Sequence, residues 1–525
     1  MKHHGYKRLL AAATLLAAVE VSRAQQPIPI LPTDSLEALR VVKDYALKTI
    51  EKNYFEHTRI DTSLPIQEII DRLDPFSSYF TKQESDGFMD RIDDEDYRFG
   101  IQIRSVLGHV LITSVLHGSP AYKAGMRPGD EIVTVDDLPN ISDTGLETYL
   151  PNRDEVTFGI RRVGIDSDGS ATILKGRFGT SSVPVASMVD SQVGYIALTG
   201  FHEGTASKLE KAVDRLYHCG MRALILDLRS NRGGLVSECL TAANLFVHSD
   251  GQTIIQNSIE ASHIKQYSLG EVARYPNLSL AILVGNSSAS AAEMFSGILQ
   301  DLDRAIIVGQ PTVGKSLVMQ FFNLPNRDRL YLAIAYYMLP SGRSVQRPYY
   351  NGDLIGGEDR DFGSFDNSAH VFDSGVSEAD CPTYRTASGR SVIPFSGIVP
   401  DYFVSQDMFY PEWLRDAVEG AAALYLRVNA KWLLKTTIDS FESHCEISQP
   451  IIEWAMDSIR VQDTTADKSL TAKLAWMVPK LIKADVASGI WNKLGFFKLW
   501  ERNSATVRRA VELLAKPATL ALAGK

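Results

Sequence analysis

The spacing of apolar residues changes character repeatedly along this chain, and each change predicts a different kind of structure. Between residues 34 and 56, Leu36, Leu39, Val42 and Leu47 recur at helical spacing, and Asp34 with Glu37 can cap the start. Leu73-Asp74-Pro75-Phe76-Ser77-Ser78-Tyr79-Phe80 is rich in turn residues and reads as a connector, followed by a strongly acidic, solvated stretch over 84–96. From Arg98 to about Gly164 the pattern shifts to short strands punctuated by glycine turns. Residues 181–345 alternate strands with helices. Gly194–Leu198, Ala223–Leu228, Leu280–Val284 and Ala305–Val308 are apolar runs suited to buried strands, and Thr205–Cys219 is an amphipathic helix. Residues 351–380, rich in Gly, Asp and Ser, read as a surface insertion, and 405–525 as mostly helical.

Composition narrows the class. The chain has 525 residues, 45% hydrophobic and 22% charged, which suits a multidomain globular protein. Its net charge of −9 argues against nucleic acid as a partner, because phosphate binding needs a basic face. The start of the chain predicts a signal peptide over 1–24: basic Lys2, Lys7 and Arg8, an apolar run from Leu9 to Val19, and Ser22-Arg23-Ala24 with small residues at the cleavage positions. That run is short for a bilayer span, and no later segment is apolar enough, so no stable membrane span is expected after its removal. Export implies a periplasmic or extracellular location. Cys219, Cys239, Cys381 and Cys445 match no zinc pattern, and their pairing is open.

Two segments carry candidate chemistry. Leu280–Glu293 reads as strand, polar turn, then helix, with Ser290 at the helix start beside unpaired N–H groups and the positive end of the helix dipole. Ser290 with Glu293 is equally a capping box, the plain structural alternative. Arg304–Lys315 then delivers a lysine from a glycine turn after a strand. A hydroxyl needs a base to become a nucleophile, and a lysine neutralised by burial can serve. The same stretch, Gly309-x-x-x-x-Gly314-Lys315-Ser316, matches the phosphate-binding P-loop pattern of a nucleotide triphosphatase. A P-loop must open a long helix, whereas Leu317-Val-Met-Gln-Phe-Phe reads as a strand and Pro325 follows.

Other segments fit around these two. Gly118-Ser119-Pro120-Ala121 and Ala124–Ile132 resemble a PDZ domain, with a short helix at the Ser-Pro and a strand from Glu131 to Val135 after the Pro-Gly-Asp turn. That resemblance puts Phe99, Gly100 and Ile101 in the carboxylate-binding loop, where glycine-exposed N–H groups and an edge strand receive a peptide C-terminus. Taken together with Ala289–Glu293, Gln300-Asp301, Arg304, Gly314-Lys315, Leu226–Gly234, Pro340–Gln346 and Gly397–Asp401, the chain resembles the C-terminal processing (tail-specific) proteases over about residues 30–405.

The resemblance implies Ser290 as nucleophile, Lys315 as base, and no metal or cofactor. The glycine turn then supplies an oxyanion hole, through Gly233 or Gly234 with the Ala291 N–H. The family often has Gln four residues after the lysine; here that position is Met319, and Gln320 is one later. A local bulge must restore Gln320 for it to orient the base, since one step along a strand changes the face. Asp301, at the far end of the predicted helix, stands about 16 Å along the axis from Ser290 and is expected to shape the site or tie down the helix end.

The expected architecture is α/β multidomain, an α/β protease core with an inserted-style PDZ-like β-domain and helical N- and C-terminal regions. The boundaries are 30–96 for the N-terminal helical region, 97–164 for the PDZ-like domain, 181–405 for the serine protease core and 406–525 for the helical C-terminal region. The expected function is an exported serine endopeptidase acting on polypeptides with unstructured C-termini. A catalytically dead PDZ scaffold is the binding-module alternative, and the sequence leaves the oligomeric state open.

Overall fold

The computed structural model describes residues 29, 31–32, 35–85, 95–139, 142–150, 153–163, 168–179, 181–248, 253–270, 272–350, 352–354, 384–405, 412–433, 435–462 and 468–516. The signal peptide, Asp34, most of the acidic stretch and of the 351–380 insertion, and Cys381 lie outside the described residues. Internal contacts divide the chain into two units, one of residues 1–93, 186–406 and 508–525, the other of 94–185 and 407–507. The mixed α/β architecture with helices toward both ends agrees with the sequence reading. The linear boundaries do not show that the C-terminal helices share a unit with the PDZ-like segment.

The first unit opens with helix α1 (Ser35–Asn53). Its buried face is Val42, Ala46, Thr49 and Ile50, while Leu36 and Leu39 are 73% and 64% exposed, so the apolar periodicity located the helix but misjudged its inner face. The centre of the unit is a six-stranded sheet. It includes the parallel strands β1 (Val193–Ala197), β2 (Ala223–Asp227), β3 (Ser279–Val284) and β4 (Ile306–Gly309), adjacent in that order. Strands β2, β3 and β4 are buried at every position, as continuous apolar runs in a covered parallel sheet should be. Helix α2 (Ala291–Asp301) follows β3 and is buried along its whole length.

A second, antiparallel sheet carries β5 (Leu317–Asn323) against β6 (Arg329–Met338), with the short strand Ser78–Phe80 also pairing with β6. The chain after Lys315 is therefore a strand. The P-loop spacing has the wrong context, strand–loop–strand, and no helix N-terminus is present there to hold phosphate.

In the second unit, Ile101–Val106 is the edge strand of an antiparallel sheet, paired with His109–Val115 and continued by Glu131–Val135, Glu155–Arg161 and Gly169–Leu174. Helices Pro120–Lys123 and Asp143–Tyr149 complete it. Phe99, Ile112, Leu146, Val156 and Phe158 form its core. Helices α3 (Glu412–Leu433) and α4 (Lys468–Leu499) build a separate apolar core with Gln449–Gln462.

The two cores of this unit are joined through side chains. Val106 and Leu111 pack on Ala423 and Leu424. Arg104 reaches Asp416 at 2.5 Å and Glu419 at 3.4 Å, and Arg427 reaches Glu131 at 2.9 Å. The Pro-Gly-Asp turn packs so closely that a Cβ on Gly129 would stand 2.8 Å from the Arg427 nitrogen, and its φ of +88° likewise requires glycine.

Candidate active site

Ser290 occupies the junction between β3 and α2. Its φ is +56° and its ψ −117°, a conformation that costs a non-glycine residue about 1–3 kcal/mol. Three connections hold the turn in this state. Ser288 Oγ donates to the Leu228 carbonyl at 2.7 Å and accepts from the Gly285 N–H at 3.1 Å. The Ala289 N–H donates to the Asn231 carbonyl at 3.1 Å. The Ser290 N–H donates to Glu293 Oε2 at 2.8 Å, so the capping interaction foreseen for Glu293 is present.

Glu293 does more than cap. Buried completely, it accepts Thr312 Oγ1 at 2.5 Å, the Gly314 N–H at 2.6 Å and the Lys315 N–H at 2.8 Å. One carboxylate thus ties the serine's own N–H to the loop that delivers the lysine. Burial pushes Glu293 up to about 7, against the pull of those donors. The loop is anchored from behind as well: the Ile398 N–H donates to Thr312 Oγ1 at 2.7 Å, and a Cβ on Gly397 would strike the Thr312 carbonyl at 2.6 Å.

Lys315 is fully buried, and its Nζ has no hydrogen-bond partner among the described residues. The Phe76 ring centroid stands 4.8 Å from Nζ. Burial lowers the lysine to about 8, while the charges of Asp74 and Glu293 pull it back up. Asp74, also buried, accepts from the Phe76 and Ser77 N–H groups at 2.8 and 2.7 Å and from Ser77 Oγ at 2.5 Å. The sequence reading took Asp74–Phe80 for a connector, and nothing local to it announces the distant lysine.

The glycine turn closes the other side. A Cβ on Gly233 would lie 2.9 Å from both the Ala289 carbonyl and Ser290 Cβ, and 3.0 Å from the Ala291 nitrogen. The Gly233 N–H is engaged with Asn231 Oδ1 at 2.8 Å. The Gly234 and Ala291 N–H groups have no acceptor among the described residues, so of the two glycines Gly234 is the one with an unengaged N–H.

Neither of the two expected supporting residues makes a hydrogen bond to the Lys315 amine. Gln320 is buried but gives no hydrogen bond to Lys315, whose Nζ receives none. The pairing between β5 and β6 does shift at Val318/Met319, but the extra residue, Ile334, is on β6; β5 runs regularly, so no bulge restores Gln320. Asp301 forms a buried ion pair with Arg343 at 2.8 Å and accepts the Ser341 N–H at 3.1 Å, which ties down the far end of α2. Arg343 also donates to Gln300, and Gln300 to Asp401, so the Pro340–Gln346 and Gly397–Asp401 segments converge on that helix end.

In the PDZ-like segment, Gly100 has φ +79°, and a Cβ there would meet Ser119 Cβ at 2.1 Å. Its carbonyl accepts the Leu116 N–H at 2.9 Å, while the Phe99 and Gly100 N–H groups have no acceptor among the described residues. Phe99 itself is a core residue, edge-on to Phe158 at 5.9 Å, so its backbone and not its ring faces any ligand. Ile101 begins the edge strand, opposite Val115.

The chain is similar to several known proteins. Residues 192–355 match the model for peptidase family S41, and residues 98–171 match that of a PDZ domain. The carboxy-terminal processing protease CtpA of Bacillus subtilis (strain 168) is 28% identical over 313 residues, covering 58% of this chain and 66% of that protein. A probable CtpA-like serine protease of Staphylococcus haemolyticus (strain JCSC1435) is 24% identical over 381 residues, 69% of this chain and 75% of that protein. Among solved structures, the photosystem II D1 C-terminal processing protease aligns with a TM-score of 0.40 at 19% identity, over 74% of this chain and 97% of that one. Residues 192–355 are thus similar to peptidase family S41 and residues 98–171 to a PDZ domain, and the chain is similar to carboxy-terminal processing proteases. The present chain spans just under two thirds of the Bacillus protein's length. No helix among the described residues is long and apolar enough to cross a membrane.

Proposed function

We propose that this protein is an exported serine endopeptidase that uses Ser290 as nucleophile and Lys315 as general base, and selects substrates by their C-termini. The observation that carries this reading is that one buried carboxylate, Glu293, joins the N–H of Ser290, in its strained strand-to-helix turn, to the N–H of Lys315, a fully buried lysine whose amine has no hydrogen-bond partner among the described residues. Neutral Lys315 takes the proton from Ser290 Oγ as Oγ bonds to the scissile carbonyl carbon. The carbonyl oxygen, now negative, is held by the Gly234 and Ala291 N–H groups. Collapse of the tetrahedral adduct breaks the peptide bond, the lysine ammonium returns its proton to the leaving amine, and water later releases the acyl-enzyme.

Substrate choice rests on the PDZ domain. The Phe99 and Gly100 N–H groups receive the terminal carboxylate, and the edge strand from Ile101 adds the tail as a further strand. The preferred substrate is therefore an unstructured polypeptide ending in a small or apolar residue, and the reaction calls on no metal or cofactor. The test is cleavage of one unfolded substrate carrying a free or an amidated C-terminus. Faster cleavage of the free form at subsaturating concentration, abolished by Ser290→Ala, supports both halves of the proposal. Equal rates reject tail recognition alone, and full turnover by Ser290→Ala rejects the chemistry. A scaffold without catalysis is recognised by tail binding without turnover.

A further inference from the structure

The connector Asp74–Ser77 is far from Lys315 in sequence, yet it walls the pocket that holds the lysine. Phe76, completely buried, sets its ring 4.8 Å from Nζ. Asp74 is equally buried and rigidly held. Its Oδ1 accepts the Phe76 and Ser77 N–H groups, its Oδ2 accepts the Ser77 hydroxyl, and Ser77 Oγ in turn accepts the Ala333 N–H of β6 at 3.0 Å. Burial pushes the Asp74 carboxyl up, while these three donors and the charge of Lys315 pull it back down toward the ionised form that accepts such bonds. Lys315, by contrast, has a buried amine with no hydrogen-bond partner among the described residues. Such a group costs stability unless it has work to do.

We propose that Asp74 is a positioning residue for the reaction, acting through Lys315 to stabilise the ammonium that forms when the lysine takes the Ser290 proton. The inference rests on the serine–lysine reading above. When Oγ transfers its proton, a positive charge appears on the fully buried Nζ. A fixed carboxylate stabilises that charge without any reorganisation at the moment of reaction. Other groups face the same region. Glu293 approaches from α2, the Tyr331 hydroxyl lies on β6, Tyr54 and Tyr349 bear on Asp74, and the Arg347 side chain packs against Gly314. Glu293 is committed to four hydrogen bonds at the two loops, whereas Asp74 bonds only to its own turn and is the carboxylate dedicated to the amine's charge.

The experiment reads the lysine directly. In the Ser290→Ala protein, lysines labelled at Cε are titrated by NMR, with Lys315 identified by the signal missing from Lys315→Met. Asp74→Asn should lower the Lys315 midpoint by about one pH unit, because a favourable negative charge is gone. Asp74→Ala is the second variant, should Asp74→Asn fail to fold, and must move the midpoint the same way. Asp74→Glu should keep it near the parent value. With Ser290 restored, the rising limb of kcat/KM against pH should move down by the same amount, and kcat should fall about tenfold or more with KM unchanged. An unmoved NMR midpoint overturns the proposal, even if activity is lost, since that pattern belongs to a structural role. Failure of the unmodified protein to cleave would count against the serine–lysine reading, while the titration still decides the coupling of Asp74 to Lys315.

Discussion

Ser119 and Ser290 both begin a helix, one in the PDZ unit and one in the peptidase unit. Ser119 has φ −65° and ψ 164°, and its Oγ accepts the Tyr122 N–H at 3.1 Å. This is an unstrained cap. Ser290 has φ +56° and ψ −117°, and its N–H is held by a carboxylate that also binds another loop. The same residue type at the same kind of position is a local stabiliser in one unit and, in the other, a strained group tied through Glu293 of its own helix to a loop distant in sequence. Strain that persists because distant segments enforce it is the pattern expected of a reactive site.

The strongest test of this contrast is removal of the Ser290 hydroxyl. Ser290→Ala should lower kcat by at least about 10³-fold while the protein stays folded, read by steady-state cleavage and circular dichroism. Next is the base. Lys315→Arg should be inactive, because arginine stays charged. In the unmodified protein kcat/KM should rise about tenfold per pH unit well below the lysine's value of about 8 and level off above it, since the depressed lysine is neutral only on the alkaline side. A profile that falls through this window would remove lysine as the base. A smaller effect belongs to the other unit. Gly100→Val meets both a positive φ and Ser119, and should weaken cleavage of tail-bearing substrates about tenfold at subsaturating concentration, with a lesser effect on a short peptide. The smallest is Ser119→Ala, expected to cost about 1 kcal/mol of stability in a denaturant melt and to leave the Ser290 chemistry intact.

Much of this arrangement was legible in the sequence because it is carried by local patterns. Buried strands appear as continuous apolar runs, and Ser290 and Lys315 each stand near the end of the turn that follows such a strand. The strand after Lys315 could be read from Leu317-Val-Met-Gln-Phe-Phe, which is enough to set aside the P-loop spacing. The missing part is the one that depends on chain return. Glu293 was visible as a capping residue, but its bonds to Thr312, Gly314 and Lys315 exist only once β4 lies beside β3. Asp74 and Phe76 have turn chemistry in the sequence and a pocket role only in space. Leu36 and Leu39 show the opposite error: their helical period is correct, but a period does not say how far along a helix the core extends.

The four bonds accepted by Glu293 also have a consequence for how the site can be controlled. A loop displacement that carries Lys315 away must break bonds to the same carboxylate that holds the Ser290 N–H. The positions of Ser290 and of the Lys315 loop are therefore coupled through one side chain, and a change at either is felt at the other.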